Sequence, residues 1–196
     1  PALGHGLGTN GDLIGKWIDP PAGPTDATIG TPVHGRVKIK GYERDPYVII
    51  GGGDVPPLPG LLRRRAMQKA RRTFQVIAMS QDAADGRFWS EAGRQKFAFS
   101  LSRSPSYACT MEAFDALGAM SGRKLSFDRK SVFTAHPMGG CRIGDDPAHS
   151  VVNGRGEVHG HAGLFIADAS VFPRPLGVPP SLSIAAWASH VAAGIS

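Results

Sequence analysis

Proline and glycine decide how much regular structure this chain can hold. Of its 196 residues, 26 are glycine and 16 are proline, and the first sixty positions are especially rich in both. Proline fixes φ and lacks a donor, so "DVPPLPG" (54–60) cannot be a regular element. "DLIGKWIDPPAGP" (12–24) is broken by glycine and proline and reads as part of a glycine-rich loop. The predicted strands are short. "TPVHGRVKIKGY" alternates through Val33, Val37 and Ile39, "DPYVIIGGG" is a buried apolar run, and "TFQVIAMS" and "KFAFSLS" are two further strands flanking a turn at "DAADGRFWS". Helices are expected over about 61–72, over 105–121 with an apolar face at Tyr107, Met111, Phe114, Leu117 and Met120 that ends at Gly122, and over about 181–193. Pro179 and Pro180 suit the start of the last one, where a missing N–H costs nothing. The fold class is α+β, a β-sheet domain with covering helices followed by a C-terminal strand–loop–helix segment.

Composition excludes several classes. The apolar and charged fractions are those of a globular protein. No run reaches the roughly 18 consecutive apolar residues of a membrane helix, so no transmembrane segment is expected. No basic-then-apolar leader is visible. Pro1 stands where an initiator methionine would, so the chain is expected to be processed or part of something longer. Two cysteines, Cys109 and Cys141, make neither a disulfide framework nor a zinc site; they suit a reducing compartment, cytoplasmic or unknown, with a single bridge as the alternative. Much of the net charge of +6 comes from "RRRAMQKARR" (63–72). It reads as a solvated helix face or the cover of an acidic neighbour. Without interleaved aromatics it gives no case for a nucleic-acid partner.

Gly6-x-Gly8-x-x-Gly11 formally matches the dinucleotide fingerprint. That fingerprint needs a strand before it and a helix after it. Only five residues precede Gly6 and a broken stretch follows Gly11, so the match is rejected.

The chemistry concentrates in two places. In "TAHPMGGCRIG" (134–144), Pro137 restricts His136 to extended backbone, while Gly139 and Gly140 permit a tight return or close approach by a flat ligand. A fixed imidazole suits hydrogen bonding or proton transfer near neutral pH. No other histidine or acid stands at a convincing metal-ligand spacing, and His159 and His161 read as two exposed side chains. Cys141 could be a nucleophile, but a small buried cysteine suits it better. In the last forty residues an apolar strand, "LFIAD", ends on Asp168, and the loop beyond feeds a helix starting at Ser181 and Ser183. Asp168 could accept from ligand hydroxyls or cap a loop. The helix start could hold negative charge, or Ser181 could serve only as its cap.

"HPMGGCRIG", "VVNGRGEVHGHAGLFIADASVFP" and "GVPPSLSIAAWASHVA" together resemble the C-terminal signature of the glucose–methanol–choline (GMC) oxidoreductases, cholesterol-oxidase-like branch. The likeness is close over about 134–195 and looser in "GHGLGTNGDLIG", "GPTDATIG" and "QVIAMSQDAADGRF". It implies an FAD-dependent enzyme that oxidises an apolar, sterol-like CH–OH group by hydride transfer to flavin. By resemblance, His136 faces flavin and substrate hydroxyl. Asp168 and Ala169 lie near the ribityl–phosphate region, and Pro180, Ser181 and Leu182 form the helix start at the flavin ring. Asp54, in "DVPPLP", stands where the branch has a catalytic acid near the substrate carbon, the alternative being a plain turn residue. The implied organisation is 1–30 as a segment of the FAD-binding region, 31–130 as the substrate domain and 131–196 as the C-terminal part of the FAD-binding domain.

Two departures qualify the resemblance. Proline occupies position 179, where the family usually has histidine or asparagine, so one side chain expected to hold the substrate oxygen is absent. The family's N-terminal Rossmann part is also missing, so the expected partner is an N-terminal FAD-binding chain or fragment. The alternative is a flavoprotein-like isomerase, lyase or binding subunit without oxidase activity.

Overall fold

The computed structural model describes residues 2–18, 28, 33–52, 57 and 59–195. Its elements in chain order are β1 (His5–Leu7), β2 (Leu13–Ile18), β3 (Val33–Arg36), β4 (Tyr47–Gly52), α1 (Gly60–Arg71), β5 (Thr73–Met79), β6 (Gly86–Glu91), β7 (Arg94–Ala98), α2 (Pro105–Ser121), β8 (Leu125–Phe127) and α3 (Ser181–Ala193). Mixed sheet and helix agree with the expected class. Contacts group the chain into two compact units that interleave along it. One comprises Leu13–Met79 and Ser106–Phe133; the other comprises Pro1–Asp12, Ser80–Pro105 and Thr134–Ser196.

The first unit is an antiparallel five-stranded sheet in the order β3-β4-β5-β2-β8. Its core joins Leu13, Val48, Val76, Ala78, Phe114 and Leu125, with Met111 and Leu117 of α2 packed against it. Here the helical period supplies the packing face: Tyr107 and Phe114 are fully buried, while Met120 stays exposed at the end of α2. Gly122 ends that helix at φ +62°, a left-handed turn that glycine adopts without a Cβ penalty. The face of α2 meets β2 closely. A Cβ on Gly15 would lie 2.5 Å from Leu125 Cδ2 and 3.0 Å from the Phe114 ring.

β2 corrects the sequence reading. Residues 13–18 are not loop but a strand paired on both sides, to β5 and β8. Gly15 does not break the chain here: it is the space into which Leu125 and Phe114 pack. Basic α1 has no buried residue, as a solvated helix face requires.

The second unit holds a three-stranded sheet in the order β1-β6-β7. Part of "DAADGRFWS" is strand β6 rather than turn. The true hairpin turn comes at Ala92 and Gly93, both with positive φ, the backbone a two-residue hairpin demands. The rest of this unit up to α3 is almost free of regular elements. "LFIAD" is not a strand: one isolated bridge, Glu157 to Phe165, is all it forms, and Leu164 is exposed. Gly6-x-Gly8-x-x-Gly11 runs from a strand into a loop with no helix after it.

Candidate functional site

His136 sits where three backbone segments of the second unit meet. Met138 pairs with Gly8 in a two-bond antiparallel bridge of 2.8 and 3.0 Å. On the other side Gly139 N, Cys141 N and Ile143 N donate to the carbonyls of Ala169, Ser170 and Val171. Gly139 has φ +78°, and a Cβ there would stand 2.0 Å from the Gly6 carbonyl oxygen. The close approach anticipated at this glycine is therefore made by the chain's own backbone.

The imidazole is held by a residue that sequence reading passed over. Asp12 is 1% exposed. Its Oδ2 accepts from Ala135 N at 2.8 Å, His136 N at 3.2 Å and Thr134 Oγ1 at 3.0 Å. His136 Nδ1 lies 3.0 Å from Oδ2 and 3.1 Å from Oδ1. Burial raises the Asp12 carboxyl above its ordinary value, and these lowering contacts with His136, Ala135 and Thr134 offset that only in part.

Asp12 belongs to a buried polar loop, residues 9–12. Asp82 accepts from Thr9 N, Thr9 Oγ1 and Gly11 N at 2.6–3.0 Å. Asn10, fully buried at φ +54°, accepts from Gly177 N at 2.8 Å and donates to the Val178 carbonyl at 3.0 Å. The loop thus binds the segment before α3 as well as the one carrying His136. The available signal was "TNGD" itself, a polar cluster whose side chains could all find buried partners.

A cavity of about 380 Å³ opens against these segments, lined by His136, Gly139, Asp168, Ala169, Pro180 and Ile184 among others. The structure brings His136, Asp168, Ala169 and Pro180 together. Ser181 and Leu182 begin α3 without lining the cavity, and Leu182 is 82% exposed. Asp54 lies outside the described residues. Asp168 Oδ1 accepts from Ser170 N at 2.8 Å and Ser170 Oγ at 2.5 Å, capping the turn Ala169–Val171, so the acid caps a loop and faces the cavity at once. The first turn of α3 carries no acidic residue, so no side-chain charge there offsets its positive end. Ser181 is not the cap: Pro180 holds that position, and its carbonyl accepts from Ile184 N.

Two alternatives recede. Burial raises the Cys141 thiol, with Asp168 adding to the rise and the Ser170 contact opposing it, which works against a nucleophilic thiolate. No cluster of three metal-ligating side chains exists among the described residues. Both cysteines are free. His159 is not exposed as expected: it is half-buried, with Nε2 3.0 Å from Ser150 Oγ and from the Gly144 carbonyl. No helix among the described residues is long and apolar enough to cross a membrane.

Residues 34–188 match the GMC oxidoreductase family over its C-terminal domain. The chain belongs to that family. It is 48% identical over 59 residues to a cholesterol oxidase of Mycobacterium tuberculosis, covering 30% of this chain and 10% of that protein. It is 41% identical over 63 residues to paromamine 6'-oxidase of Streptomyces fradiae, covering 32% and 12%, and 39% identical over 76 residues to Arabidopsis thaliana long-chain-alcohol oxidase FAO1, covering 38% and 10%. Among solved structures, pyridoxine 4-oxidase from Mesorbium loti superposes with a TM-score of 0.60 at 15% identity, over 99% of this chain and 43% of that one, a likeness of fold. The matched segments therefore span about a tenth of the length of these curated relatives.

Proposed function

We propose that this chain is the substrate-facing C-terminal part of an FAD-dependent oxidoreductase that oxidises the CH–OH group of an apolar, sterol-like alcohol, working with an N-terminal FAD-binding part. One observation carries the reading: the His136 imidazole and the start of α3 border the same cavity. Members of the family are generally FAD-dependent, and the residues present suit a flavin. A carboxylate, Asp168, stands ready to accept from hydroxyls, and a helix N-terminus without a neighbouring acid favours negative charge.

When bound, flavin supplies the two-electron oxidant. His136 takes the substrate hydroxyl proton. Pro179 offers no side-chain donor or acceptor, so among the described residues it cannot share proton handling with the imidazole. Asp168 orients cofactor hydroxyls. The N–H groups of residues 181–183, which have no intrahelical partners, would favour negative charge on a cofactor bound at the helix start. Ala135, Pro137, Ala169, Pro180 and Ile184 make the walls largely apolar. The apolar walls, and the cholesterol and long-chain-alcohol oxidases among the relatives, support an apolar alcohol as substrate.

The test uses the flavin-loaded, full-length protein under anaerobic conditions. A sterol or long-chain alcohol should bleach the flavin absorption, and His136→Ala should slow that bleaching by about 10²–10⁴-fold. A protein that binds no flavin defeats the redox reading. An unchanged rate in the variant removes His136 from the chemistry.

A further inference from the structure

The carboxylate of Asp12 fixes more than the position of His136. An ionised carboxylate only accepts hydrogen bonds. Both of its oxygens lie within 3.1 Å of His136 Nδ1, so that nitrogen must carry the proton. In the neutral ring, Nε2 is then an unprotonated acceptor, on a side chain that is 26% exposed and lines the cavity. The same carboxylate also accepts from the backbone N–H groups of Ala135 and His136, so ring and main chain are held from one point.

The loop that carries Asp12 is anchored at several points. Residues 9 and 11 are tied to Asp82, and Asn10 is tied to Gly177 and Val178. Pro179 and Pro180 follow directly and lead into α3. One loop therefore spaces the imidazole against the opposite cavity wall.

We propose that Asp12 is the positioning residue of this site, holding His136 as the Nδ1-protonated tautomer with Nε2 presented to the substrate hydroxyl. The inference rests on the reading of His136 as the proton acceptor.

The experiment has two arms. Histidine-selective ¹⁵N NMR on the flavin-loaded, full-length protein at neutral pH should show His136 with Nδ1 protonated and Nε2 bare, its resonance assigned through His136→Ala. In Asp12→Asn the amide oxygen takes the place of Oδ2 against the backbone donors and the NH2 group takes the place of Oδ1 beside His136 Nδ1, so a donor there competes with the Nδ1 proton and that pure tautomer signature should be lost. Anaerobic flavin reduction in Asp12→Asn should slow by about 10²-fold at saturating alcohol, while the alcohol concentration for half-maximal rate moves little. A parent spectrum with the proton on Nε2 overturns the proposal and needs no variant to fold. A parental reduction rate in Asp12→Asn overturns it as well. If His136→Ala slows reduction and Asp12→Asn does not, only this inference falls; if His136→Ala reduces flavin at the parental rate, the functional reading falls with it.

Discussion

The two contact units hold themselves together by opposite means. The five-stranded unit rests on apolar side chains: Phe114 at 0% exposure wedged over Gly15, with Val76 and Ala78 equally dry. The unit bearing His136 has little regular structure outside three strands and α3, and buried polar groups do the holding. Asp12, Asp82 and Asn10 are all buried, and each bonds to backbone. The change of regime falls between consecutive residues, at Asp12 and Leu13. Apolar packing is non-directional and tolerates exchange of similar volumes. Hydrogen-bonded loops are directional, so they set the angle and tautomer of a side chain, which an acid/base site requires.

The contrast can be broken at both ends. The largest loss is expected from Phe114→Ala, about 3–5 kcal/mol by denaturant unfolding, because the side chain is fully enclosed and its removal leaves a cavity. A loss below about 1 kcal/mol would mean that the sheet does not depend on this face. Gly139→Ala tests the loop-built unit. Left-handed backbone and a Cβ 2.0 Å from the Gly6 oxygen should together cost about 2–4 kcal/mol. Unlike Phe114→Ala, it should also lower flavin reduction in molecules that remain folded, since Gly139 lies three residues from His136. The smallest effect is a slope. Burial holds the Asp12 carboxyl above the ordinary aspartate value of about 3.8 in the folded state. The folded chain then binds the proton more tightly than the unfolded one, so parent stability falls as pH rises from about 3.8 through the folded-state value. Asp12→Asn lacks that titration. The stability difference between parent and Asp12→Asn should therefore shift toward the variant across this window, as read by urea midpoints; a shift toward the parent would mean that the contacts to His136 outweigh burial.

Legibility followed the same divide. Helix α2, α3, α1 and strands β4 and β5 were readable because period and breakers coincide in them, as at Phe114 and Gly122. β2 was missed because Gly15 looks like a break in one dimension and is a packing space in three. "LFIAD" misled in the opposite direction: its apolar run suggests a strand, but its backbone finds only one isolated bridge. Within the site, His136 announced itself through His-Pro and Gly-Gly. Asp12, 124 residues away, was marked only as one member of the polar cluster "TNGD", with nothing to say that it would meet His136.

The amino-acid order alone determined which backbone is stiff and which is free, where apolar periods lie, and that a histidine is held at the edge of a glycine turn. Those are local properties, set by φ restrictions and by spacing along the chain. Only the folded chain decided which carboxylate meets that histidine, which ring nitrogen is engaged, and that Asn10 would reach Gly177 and Val178. A hydrogen bond joins groups within about 3 Å whatever their separation in sequence, so such pairings exist only once the segments have converged.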